Sequence, residues 1–112
     1  MLETDFSKDR EKFVNNSLEY WKRIEEGNSK SANLAEKRNK KIISQLGNST
    51  SDFLTPLLSH PSDDVRFAAA AHLMNTDARI EATLVLRQLA QKPTGFLALS
   101  AKAILDIHRP SN

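Results

Sequence analysis

Apolar residues recur along this chain at spacings of three, four and seven, in six successive runs. No stretch alternates with period two while carrying β-branched residues. Such spacing puts the apolar side chains of each run on one face of a helix, so it constrains the chain to an all-α fold. Three Gly and four Pro are too few for the many tight turns of an all-β domain. The length of 112 residues corresponds to one domain, so residues 1–112 are expected to form a single helical unit.

The breaks between the runs set approximate boundaries. A first helix is expected from about Phe6 to about Glu26, with Phe6, Phe13, Val14, Leu18, Trp21 and Ile24 on its stripe and Gly27-Asn28 stopping it. A second is expected from about Lys30 to about Leu46, capped by Ser29 or Ser31 and ended by Gly47-Asn48. Ala32, Ala35, Ile42, Ile43 and Leu46 form its apolar face. Asn39 sits in the middle of that face, where a polar side chain is costly unless hydrogen-bonded. A short third helix is expected from about Ser51 to about Ser59, where Pro56 must lie in the first turn or kink it. The fourth starts at Ser62 or Asp63, and Asn75-Thr76-Asp77 breaks it. The fifth runs from about Asp77 to about Gln91, and the sixth from Thr94 to about His108.

Chemistry is hard to find in these letters. The absence of Cys excludes disulfides, thiolate zinc sites and cysteine nucleophiles. His60, His72 and His108 have no partner at the spacing of a helical metal pair. His60 precedes Pro61 at a break and is read as a contact to loop backbone. No serine lies in a Gly-rich elbow, and no Gly-rich loop is present to cradle phosphate. A non-enzyme without metal or cofactor is therefore expected. No apolar run approaches the roughly 18 residues of a membrane span, and the acidic start lacks the pattern of a secretion signal. Together these give the expectation of a cytoplasmic protein with no membrane contact.

The net charge of +2 is too small to argue for nucleic acid by itself. Residues 1–47 hold ten Lys/Arg against eight Asp/Glu, whereas residues 48–112 hold six of each. The excess concentrates in Lys37-Arg38-Asn39-Lys40-Lys41. Lys30, Lys37 and Lys41 fall on the outer face of the second helix, flanked by Arg38 and Lys40. Aligned cations can displace counterions from nucleic acid, but no interleaved aromatics stand ready to stack bases. Solvation of a helix face is the preferred reading of this stripe. Leu54-Thr55-Pro56-Leu57-Leu58 is read as core leucines.

An internal repeat organises the second half. The segment from His60 to Leu73 can be laid over that from Lys92 to Leu105, matching Pro61 with Pro93, Val65 with Leu97, Ala69 with Ala101, Ala71 with Ala103 and Leu73 with Leu105. Each unit is a Pro break followed by a helix of small residues, which lets neighbouring helices approach closely.

Pro61-x-x-Asp64-Val65-Arg66-x-x-Ala69-Ala70-x-x-Leu73 resembles the second helix of a HEAT repeat. In that family the Asp and Arg form a polar ladder between units, and Val, Ala and Leu pack the core. Phe96 and Ala98 stand where Asp64 and Arg66 would recur, so the ladder does not continue. The aromatic first helix ending in Trp21, Gly27-Asn28-Ser29-Lys30-Ser31-Ala32-Asn33, and Leu57-Leu58-x-His60-Pro61 leading into Val65-Arg66 resemble a small bacterial family of HEAT-like proteins of unknown function. That family is similar to immunity proteins of bacterial toxin systems. The resemblance implies a short right-handed HEAT/armadillo-like stack of about six helices, a single HEAT-like domain that binds another protein.

The functional expectation is thus a non-catalytic protein-binding module, in its most concrete form an immunity protein that neutralises a cognate toxin domain. The residues expected at the interface are Lys37, Arg38, Lys41, Arg66 and Arg79, because arginines and cations direct association. Phe96, Leu99 and Ile107 join them, because the sixth helix has apolar residues on both sides. A terminal helix that exposes such a strip marks an association surface, for a partner or for a second copy. The competing readings are nucleic-acid binding through the second helix and a homodimeric scaffold.

Overall fold

The structure, a computed structural model, describes residues 6–92 and 95–108. Every regular element among these is helical. The order is α1 (Ser7–Glu25), α2 (Ser29–Leu46), α3 (Thr50–Leu54), α4 (Asp63–Leu73), α5 (Arg79–Ala90) and α6 (Phe96–Ile107), with 3-10 turns at Gly47–Ser49 and Thr55–Ser59. Five of these helices reach eleven residues or more. The expected third helix is instead a five-residue α-turn followed by a five-residue 3-10 turn, so the count of six full helices is corrected to five. The expected start of the sixth helix at Thr94 lies outside the described residues. The chain divides into two compact units, with the boundary between Phe53 and Leu54.

Pro56 explains why the third helix is so short. It has no N–H to return to the Asp52 carbonyl. Arg10 on α1 supplies the missing donors. Its Nη2 donates to Asp52 O at 3.0 Å and its Nε to Phe53 O at 2.8 Å. The same guanidinium lies 5.3 Å from the Phe6 ring centre and 5.6 Å from that of Phe53. Phe53 is fully buried and meets Phe6 and Phe13 edge to face. Arg10 thus belongs to the inner side of α1, not to the solvated faces its charge suggests.

In the first unit α1 and α2 form a hairpin. Gly27 adopts φ +75°, its N–H bonds to Ile24 O at 3.0 Å and that of Asn28 to Arg23 O at 2.8 Å. This is the paired closure that a left-handed residue makes at a helix C-terminus. Asn28, not Ser29 or Ser31, caps α2: its side-chain oxygen accepts from Ser31 N–H at 3.1 Å. Phe13, Trp21, Ala32 and Ala35 are buried between the helices, together with Ser17 and Asn39. Leu18, expected on the inner stripe, is exposed, and the buried position is taken by Ser17.

In the second unit α5 packs against both α4 and α6, and the 3-10 turn Thr55–Ser59 packs on α4. Val65, Ala69, Ala70 and Leu73 of α4, Ala82, Leu86 and Leu89 of α5, and Ala98 and Ala101 of α6 are buried. The alanines keep the helices close, and Leu54 and Leu57 fill the core as the sequence suggests. Between α4 and α5, Thr76 Oγ1 donates to Leu73 O at 2.7 Å and accepts from Ala78 N–H at 3.1 Å, which closes one helix and turns the chain toward the next.

Candidate functional site

The second unit carries the most distinctive surface. Phe96 is 64% exposed, Leu99 62% and Ile107 77% on α6, while Ile80 is 74% and Leu84 54% exposed on α5. The α6 residues follow from the pattern: with Ala98 and Ala101 facing the core, positions 96, 99, 103 and 107 turn outward. Ile80 and Leu84 lie opposite the buried line of Ala82, Leu86 and Leu89, a placement their apolar character conceals. Arg79 Nη2 donates to His108 O at 3.0 Å, which brings the start of α5 to the end of α6. Ile80 and Ile107 therefore lie at the same end of this helix pair. Large exposed apolar side chains, each worth about 1.5–3 kcal/mol on full burial, are the usual material of an interface centre.

The arginines expected at the interface have structural partners. Arg79 satisfies a carbonyl at the C-terminus of α6, where positive charge is favourable. Arg66 pairs with Asp63, one turn before it on α4. Asp63 also meets Lys92 Nζ at 3.0 Å and so ties the start of α4 to the segment after α5. Its hydrogen bond from Lys92 holds the Asp63 carboxyl below its ordinary 3.8, against the opposing effect of partial burial, with Arg66 contributing in the same direction as Lys92.

The basic stripe of α2 is split. Lys37 lines a shallow outer depression together with Lys30, Leu34 and Lys40. Arg38 and Lys41 turn toward α1 and border a groove between the two helices with Lys12. Arg38 is already shared with a carboxylate, Glu19, at 3.6 Å. The three cations named from the sequence thus do not form one surface, and Lys12 joins the groove from α1.

Under this groove lies a buried polar chain. Asn39 is 2% exposed. Its Nδ2 donates to Ser17 Oγ at 3.1 Å, Ser17 Oγ donates to Phe13 O at 2.7 Å, and Asn16 Nδ2 donates to Asn39 Oδ1 at 3.1 Å. Asn39 is hydrogen-bonded, as its position demands. Its partners are side chains of α1 rather than neighbouring backbone, so it fixes α2 against α1.

His60 and His108 are engaged locally. His60 Nδ1 accepts from Ser62 N–H at 3.0 Å, in line with its expected contact to loop backbone. His108 Nδ1 lies 3.1 Å from Ile104 O and must carry the proton there. Among the described residues no three His, Asp or Glu side chains gather as metal ligands, and no helix is long and apolar enough to cross a membrane.

Comparison of the chain with protein families, with curated proteins and with solved structures finds no match.

Proposed function

We propose that the chain is a non-catalytic protein-binding module that engages its partner through the outer face of α5 and α6. The observation that carries this reading is the exposure of Phe96, Leu99 and Ile107 on α6, together with that of Ile80 and Leu84 on α5. Water contact at five such side chains is unfavourable, and a protein partner relieves it. Exposed aromatic and large aliphatic side chains are the residue types found at the energetic centre of many interfaces. The HEAT-like resemblance of the Asp64-Val65-Arg66 segment supports the same reading, since stacked helical pairs commonly hold other macromolecules. In its most concrete form the partner is a bacterial toxin domain, and the chain acts as an immunity protein by covering the toxin's active site or substrate entry. The action would be steric and electrostatic, with no bond made or broken.

The experiment is affinity capture from the source cells with a high-salt wash, using the wild-type chain beside the triple variant Phe96→Ser, Leu99→Ser and Ile107→Ser. One stoichiometric foreign protein, retained at high salt and lost with the variant, is the expected result. Its activity, assayed with and without the chain, then tests the immunity role. Recovery of nucleic acid alone, released by salt, or of no foreign protein contradicts the proposal.

A further inference from the structure

The groove between α1 and α2 lies in the other unit and is independent of the α5–α6 reading. We infer that it is a binding site for an extended acidic peptide, a segment bearing Asp or Glu side chains. The groove has a volume of about 490 Å³. That is in the range of sites that hold small ligands or a few residues of chain. Lys12 from α1 and Arg38 and Lys41 from α2 stand along it, against one carboxylate, Asp9. Lys12 and Lys41 make no ion pair among the described residues, so their charge is available to a ligand. Arg38 already shows the chemistry in miniature through its contact with the Glu19 carboxylate.

The rest of the lining discriminates between anions. Asn15, Asn16 and Gln45 contribute primary amides, each with two donors and one acceptor oxygen. A peptide backbone uses both kinds of group, whereas a phosphate chain only accepts. Asp9 points the same way: its carboxylate repels a phosphate but can accept from a peptide N–H. Among the described residues no aromatic side chain lines the groove to stack a base. Asn16 is held by its bond to the buried Asn39, so one wall of the site is set by the α1–α2 core and is in place before a ligand arrives.

The test is fluorescence anisotropy of the full chain with a labelled Glu/Gly peptide. A Gln/Gly peptide and a labelled single-stranded oligonucleotide are run beside it. Saturable binding of the acidic peptide at low salt is expected, weakening as salt rises. The double variant Lys12→Gln/Lys41→Gln should lose roughly five- to tenfold in affinity, since exposed charge contacts each contribute modestly. Lys30→Gln/Lys37→Gln has the same net charge on the same hairpin but removes cations outside the groove, so it should bind nearly as wild type. All four positions are exposed, and circular dichroism confirms that both variants fold. The inference is overturned if the acidic peptide binds no better than the neutral one, if both double variants lose affinity equally, or if the oligonucleotide binds more tightly.

Discussion

Removing Asn39 tests how the first unit is held together. Asn39→Ala deletes two hydrogen bonds and leaves the Ser17 oxygen without its incoming donor at a site sealed from water. Each bond is worth about 0.5–1.5 kcal/mol net. Asn16 is half-buried and its amide can turn to solvent, which softens the loss. Alanine also favours helix over asparagine by about 0.7 kcal/mol or less. The balance is a destabilisation of about 1–3 kcal/mol. Ser17→Ala orphans the Asn39 Nδ2 group from the other side and should cost about 1–2 kcal/mol. The two changes remove the same interaction, so the double variant should be less destabilised than the sum, by about 0.5–1.5 kcal/mol. The apolar pair Ser17→Ala/Asn39→Leu should return close to wild type, because no buried polar partner is then left waiting. Trp21, the only tryptophan, sits buried on α1, so its fluorescence in a urea titration reports this helix pair directly. Effects that add within about 0.3 kcal/mol would show that Ser17 and Asn39 are not coupled, and would refute the reasoning.

Arg10→Leu keeps most of the contact with Phe6 and Phe53 but strips the Asp52 and Phe53 carbonyls of their donors. A loss of about 1.5–3 kcal/mol by the same urea assay is expected, as for hydrogen bonds from charged groups. Gly27→Ala forces a Cβ into φ +75° and should cost about 1 kcal/mol although nothing crowds the site; an unchanged urea midpoint would argue against the left-handed closure of α1. Asp63 has its folded-state pKa lowered, so its stabilising contribution is present above the unfolded value near 3.8 and disappears as pH falls through the folded value. With the pair one-third exposed the contribution is below about 1 kcal/mol. Stability curves of wild type and Asp63→Asn should therefore separate slightly near neutral pH and converge in acid.

Much of the fold was legible because helical spacing, Gly stops and Pro breaks are local signals. Gly27-Asn28, the cores of α4 and α5, and the outward strip of α6 can all be read from a few residues at a time. The third helix could not, because Pro56 lets the segment tighten into a 3-10 turn once Arg10, more than forty positions earlier, satisfies the Asp52 and Phe53 carbonyls. Position 39 was legible as a residue needing partners, but which atoms answer it depends on the pairing of α1 with α2. The same holds for surfaces. Phe96, Leu99 and Ile107 were accessible to periodicity, whereas Lys12 enters the groove through the rotation of α1 against α2. Ile80 and Leu84 are apolar yet lie off the buried line of Ala82, Leu86 and Leu89, and the packing of α5 against α4 and α6 leaves them outward.

The most direct test of the proposed interface places a photo-reactive phenylalanine analogue at Leu99, and in a separate chain at Glu11 on the exposed side of α1, inside the source cells. Illumination should join the Leu99 probe, and not the Glu11 probe, to one foreign protein in high yield. Equal labelling from both positions, or an adduct only with a second copy of the chain, would contradict the assignment of the α5–α6 face to a partner protein.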